Sequence, residues 1–247
     1  MADNTSEKGL SRRNFIKGTA GVGGGIALAS FATSFGLNSA SAAKKSGHNA
    51  NDSIATILTL GSTAETLAAT SYYNTILNNP FGLSDFQLNY FKLALSSELY
   101  HLKIWQSLGG KSLADKFYVP EKFLADFSVN TATFIASETA FTGAYLAATR
   151  RMAELGESRL AATTAQFAAT EAEHLALSRL AGGFVPNPNG LPAPIYYNVS
   201  DAAQTLAPFL QGAKGFIGPV DYPGEDAINK LLGDTQSVKI PTFTAVF

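Results

Sequence analysis

Six side chains carry the chemistry legible in this sequence: Glu65, Glu98, His101, Glu138, Glu171 and His174. They fall as a single Glu, a Glu98-x-x-His101 pair, a second single Glu and a Glu171-x-x-His174 pair. The second set repeats the first at a constant offset of 73 residues. Carboxylate and imidazole donors in this arrangement are those of a carboxylate-bridged site for two metal ions between four helices. On a helix the i,i+3 step puts Glu98 and His101 on one face, one turn apart, and Glu171 and His174 likewise. One member of each pair can bridge while the other binds terminally. Glu65 and Glu138 would complete the set, leaving open positions for water, peroxide or dioxygen.

All four glutamates interrupt apolar stripes, and no Lys or Arg shares those stripes. A buried carboxylate without a partner is costly or titrates to neutral. Two divalent cations balance four carboxylates, which is the physical reason to expect two metal ions. The ligand types suit iron or manganese, and zinc less exclusively. A lone Glu-x-x-His is an ordinary helix-surface pair; two pairs, two single glutamates and one offset are hard to reach by chance. Tyr72 and Tyr145 each lie seven residues after the single Glu of their helix, on the same face. They read either as redox residues and partners of the ligands or as core tyrosines with bonded hydroxyls. Trp105, one turn beyond His101, reads as core. Glu173 and Tyr100 fall off the cluster face, and His48 lies in a polar stretch away from the pattern.

The elements that must position these residues follow from periodicity. Helices are predicted over about 53–78, from Ser84 to about 107, from the end of a 108–122 loop to about 154, and over about 157–181. Short links make 1–2 and 3–4 antiparallel hairpins. The longer central link can return along the helices, giving two hairpins joined by one long crossover. After Gly183, eight prolines punctuate the chain. This irregular extension, 183–247, is expected to hold short helices near 201–212 and 224–232. Phe209, Leu210, Phe216, Leu231 and Phe243 are expected to dock on the helices.

The N-terminal 42 residues read as an address. Ser11-Arg12-Arg13-Asn14-Phe15-Ile16-Lys17 precedes a Gly/Ala-rich, mildly apolar run and a small-residue cleavage pattern, Ala40-Ser41-Ala42. This is a twin-arginine export signal, and it implies the twin-arginine translocase as a partner. The run is too short and glycine-rich for a membrane span. Of 247 residues, 46% are hydrophobic and 15% charged, and net charge is -1, with no basic excess to attract nucleic acid. There is no cysteine, which excludes thiolate metal sites and Fe–S clusters.

Within a domain expected over 43–182, the four-helix region, about 53–182, resembles the ferritin-like superfamily of di-iron and di-manganese carboxylate proteins. More narrowly, it is similar to exported bacterial ferritin-like domain proteins related to plant desiccation-associated proteins. Glu65 with Tyr72, Glu98-Leu99-Tyr100-His101, Glu138 with Tyr145, and Glu171-Ala172-Glu173-His174 carry the resemblance. It implies an all-α ferritin-like four-helix bundle, with the six residues as metal ligands. It also implies redox activity on peroxide, dioxygen or ferrous iron in oxidative or desiccation stress. The alternative is a non-enzymatic, stress-protective or metal-holding protein with a structural dinuclear site. Absence of cysteine excludes a complete rubrerythrin. The long extension puts cage assembly in doubt, though not a smaller homo-oligomer.

Overall fold

The computed structural model describes residues 51–192, 194–235 and 240–246. The export signal, its cleavage point at Ala42 and the stretch containing His48 lie outside the described residues. The described chain is mostly helical. Four long helices dominate: α1 Ile54–Ile76, α2 Asp85–Ser107, α3 Phe127–Glu154 and α4 Ser158–Ala181.

Three of these begin at a side chain that satisfies first-turn N–H groups. Ser53 accepts from Thr56 N at 3.1 Å. Ser84 and Gln87 form a reciprocal capping box. Asp126 accepts from Ser128 N at 2.9 Å, so α3 starts at Phe127 and not directly after the 108–122 loop.

Side-chain contacts fix the helix directions. Tyr72 meets Phe91 and Gly61 faces Trp105, so α1 and α2 are antiparallel. Thr149 meets Thr164 at 3.0 Å, and Tyr145 meets Phe167, so α3 and α4 are antiparallel. Tyr72 stacks on Phe134 with ring centroids 4.2 Å apart, and Asn130 Nδ2 donates to Thr75 Oγ1 at 2.9 Å. These contacts make α1 and α3 antiparallel, and therefore α2 parallel to α3. The chain must travel back along the helices between Ser107 and Phe127.

That crossover is not plain loop: it gives one strand of a small two-stranded ribbon to an otherwise all-α fold. Strand β1, Lys116–Pro120, pairs antiparallel with β2, Phe216–Asp221. The C-terminal region also holds a 3-10 turn at Val199–Ala202, α5 Ala203–Gln211, α6 Glu225–Leu232 and α7 Phe243–Val246. Two apolar clusters result. One joins Leu206 and Phe209 to Trp105, Tyr145 and Phe167; the other joins Ile228 and Leu232 to Tyr72, Phe91 and Phe134. Fully burying a Leu, Ile or Phe side chain stabilises by about 1.5–3 kcal/mol. Leu210, Phe216 and Leu231 pack at the cluster edges. Phe243 is 44% exposed, and its N–H donates to Gln166 Oε1 of α4 at 3.2 Å, so it meets the helices mainly through its backbone. Among the described residues, no helix is long and apolar enough to cross a membrane.

Candidate metal centre

Each of the four long helices delivers its share of the predicted residues to one interior cluster. All six are buried, at 0–5% exposure. They form two groups: Glu65, Glu98, His101 and Glu171, and Glu98, Glu138, Glu171 and His174. Within each group one donor atom per residue lies within 4.8 Å of all the others. Glu98 and Glu171 belong to both groups; each group adds one His and one further Glu.

The histidines reach across the helix pair. His101 Nδ1 lies 3.1 Å from Glu171 Oε1, and 3.7 Å from both Glu65 Oε1 and Glu98 Oε2. His174 Nδ1 lies 2.8 Å from Glu98 Oε1 and 3.3 Å from Glu171 Oε2. Of these contacts, His174 Nδ1 to Glu171 Oε2 is a hydrogen bond. Both Glu98 oxygens, Glu65 Oε2, Glu138 Oε2, Glu171 Oε1 and His101 Nδ1 are buried without an aligned partner. Leaving such groups unsatisfied costs about 1–3 kcal/mol each, and more when charged. Among the described residues no Lys or Arg forms an ion pair with any of the six. Converging oxygen and nitrogen donors of this kind could hold metal ions.

The tyrosines hold the outer glutamates by exchanging helices. Tyr72 of α1 donates to Glu138 Oε1 of α3 at 2.6 Å. Tyr145 of α3 donates to Glu65 Oε1 of α1. Seven-residue spacing puts each Tyr on the same face as its own helix's Glu; antiparallel packing of α1 on α3 delivers each hydroxyl to the opposite Glu. Trp105 Nε1 donates to the Tyr145 hydroxyl at 3.1 Å, so Trp105 is both core and part of this network. Phe167 stacks against His101 with centroids 4.2 Å apart. Tyr90 was missed in the sequence: its hydroxyl donates to the His174 carbonyl at 2.9 Å. Its target is backbone on another helix, which no side-chain pattern signals. Glu173 is exposed, and the Tyr100 hydroxyl donates to the Ile240 carbonyl at 2.9 Å, so neither joins the cluster.

The two halves are similar but not equivalent. Gly61 and Phe134 occupy matching positions, as do Trp105 and Ser178. Beside Tyr145 the bulk comes from Trp105, and Gly61 makes room for it: a Cβ there would lie 2.7 Å from the indole. Beside Tyr72 the bulk comes from Phe134.

Without metal, the cluster distributes protons unevenly. Burial, then the Glu98 charge, pushes Glu65 well above the usual carboxylate range. Burial and Glu171 do the same to Glu138. Burial also works against an ionised Glu98, but the charge of His174 and the close approach of both imidazoles outweigh it and hold Glu98 low. Glu171 is likewise pushed up by burial and by Glu98, yet bonds to His101 and His174 bring it below its ordinary value. Burial disfavours protonated imidazole, but Glu65 acting on His101, and Glu98 on His174, raise both histidines well above normal. Burial, with Glu138 and Glu65 respectively, raises Tyr72 and Tyr145, which keeps them as donors.

Residues 9–29 match the TAT (twin-arginine translocation) pathway signal sequence. The chain is therefore exported through the twin-arginine translocase, to the periplasm or cell envelope. No curated protein and no solved structure matches the chain.

Proposed function

We propose that this is an exported ferritin-like carboxylate protein that holds two divalent ions, iron or manganese. In this reading it acts on peroxide, dioxygen or ferrous iron in protection against oxidative or desiccation stress. The observation that supports it best is the sharing of Glu98 and Glu171 between two groups, each completed by its own His and Glu. That is the donor set of a bridged dinuclear site between four helices. When bound, such ions supply electron exchange with small oxidants. The chain's own residues do the rest. Glu65 with His101, and Glu138 with His174, would hold the two positions, and Glu98 with Glu171 would join them. Tyr145 and Tyr72 fix the orientation of Glu65 and Glu138, and the apolar clusters on either side exclude bulk water.

Metal analysis of the protein exported by its native host tests this reading, with about two ions per chain expected. Glu98→Ala and His174→Ala should lose metal and turnover together. Unchanged metal content in both variants would end the proposal. The enclosure of the cluster supports a second reading, a structural metal site without turnover. It requires large metal-dependent stabilisation and no peroxide, ferroxidase or oxidase activity.

A further inference from the structure

The 73-residue correspondence that relates the six cluster residues also relates two cavities on the seam between α1 and α3. One, about 10 Å³, is lined by α1 and α3 alone and has Glu138 in its wall. The other, about 20 Å³, has Tyr145 in its wall. Thr133, Ser137 and Ser71 of the first stand where the second has Leu60, Ala64 and Ala144. Hydroxyl side chains thus replace aliphatic ones at every differing pair named here. The second cavity is also roofed by Val199, Ala202 and Leu206 of the C-terminal region, whereas nothing from that region lines the first.

The three hydroxyls have already spent their protons. Thr133, Ser137 and Ser71 donate to the carbonyls of Val129, Thr133 and Leu67, at 2.7, 2.8 and 2.9 Å. Their remaining lone pairs are acceptors, which favour a cation shedding part of its hydration. Holding one water takes about 10–15 Å³, so the passage admits a single water-sized species. The aliphatic cavity offers nothing to replace lost hydration.

We propose that the hydroxyl-lined seam at Ser71, Thr133 and Ser137 is the route by which divalent metal ions reach the cluster past Glu138. The equivalent cavity beside Tyr145, aliphatic and lined in part by the C-terminal region, gives a cation no such path. This rests on the dinuclear reading above and narrows it: the species that must pass is a small cation such as ferrous iron, and organic substrates are not admitted.

Cobalt(II) loading of the metal-free protein tests this by stopped flow. Visible absorption and quenching of Trp105, the one tryptophan in the chain, serve as readouts. Ser137→Leu fills a space of one-water size and should slow loading by about tenfold or more, with the final stoichiometry unchanged. Ala144→Leu, which fills the aliphatic cavity, should load within about twofold of wild type. The Ser71→Ala/Ser137→Ala variant keeps the space but removes the acceptors; it should also load slowly, and it serves if the Leu variant does not fold. Wild-type rates in Ser137→Leu and in the double variant, or equal slowing by Ala144→Leu, overturn the route alone. Failure of the wild-type protein to take up cobalt, iron or manganese overturns the dinuclear reading with it.

Discussion

At the scale of single residues, the cluster exchanges protons for metal. In the metal-free protein Glu65, Glu138, His101 and His174 are all shifted upward. The native state therefore binds more protons than the unfolded chain, through Glu65 and Glu138 once pH passes the ordinary carboxylate value of about 4.3, and through both histidines once it passes about 6.5. A raised pKa contributes stability that is complete below the unfolded value and is lost as pH climbs through the folded one. The downward shifts of Glu98 and Glu171 act in acid, below this window. The metal-free protein should accordingly melt at progressively lower temperature from about pH 6 to 9. Metal loading should release protons, because ligands must be deprotonated to bind. Calorimetric melting across that range and proton release at constant pH measure both. A melting temperature that is flat or rises with pH would show that the cluster does not hold its protons this way.

At the scale of elements, the sequence made the helices legible because their signals are local. Ser84 with Gln87, the apolar stripes and the glycines after α2 and α4 lie within a few residues of the boundaries they set. The six cluster residues were legible for the same reason: spacing on a helix determines a face. The ribbon was not, because Lys116–Pro120 finds its partner at Phe216–Asp221, about a hundred residues later, and nothing local encodes that pairing. The tyrosine exchange was also hidden. Which glutamate Tyr72 or Tyr145 reaches depends on how α1 packs on α3. The same packing makes Gly61 sensitive. A Cβ there would lie 2.7 Å from Trp105 Nε1 and Cε2, and Trp105 is fully buried and hydrogen-bonded to Tyr145. Gly61→Ala should destabilise by about 1–3 kcal/mol through overpacking. Adding Trp105→Phe, which frees that space, should make the pair non-additive. Urea unfolding of the two single variants and the double measures this, and strict additivity would mean that Gly61 does not make room for the indole.

At the scale of the whole molecule, neither apolar cluster is complete until the C-terminal region has folded. Leu206 and Phe209 enter one cluster, and Ile228 and Leu232 the other. Those clusters wall the acidic interior, so the cluster takes shape only when nearly the whole chain is in place. Twin-arginine export carries folded proteins, which puts assembly before translocation. An interior with this many unsatisfied carboxylate oxygens gains most from metal at that moment, since binding to the native state alone stabilises it. The ions should therefore be acquired in the cytoplasm. Replacing the signal pair by Arg12→Lys and Arg13→Lys should retain the precursor inside the cell, with the same metal and the same stoichiometry as exported wild type. Metal analysis of the two purified forms decides it. A retained precursor that is folded but metal-free, beside a loaded exported form, would place acquisition outside and leave the signal no part in choosing the metal.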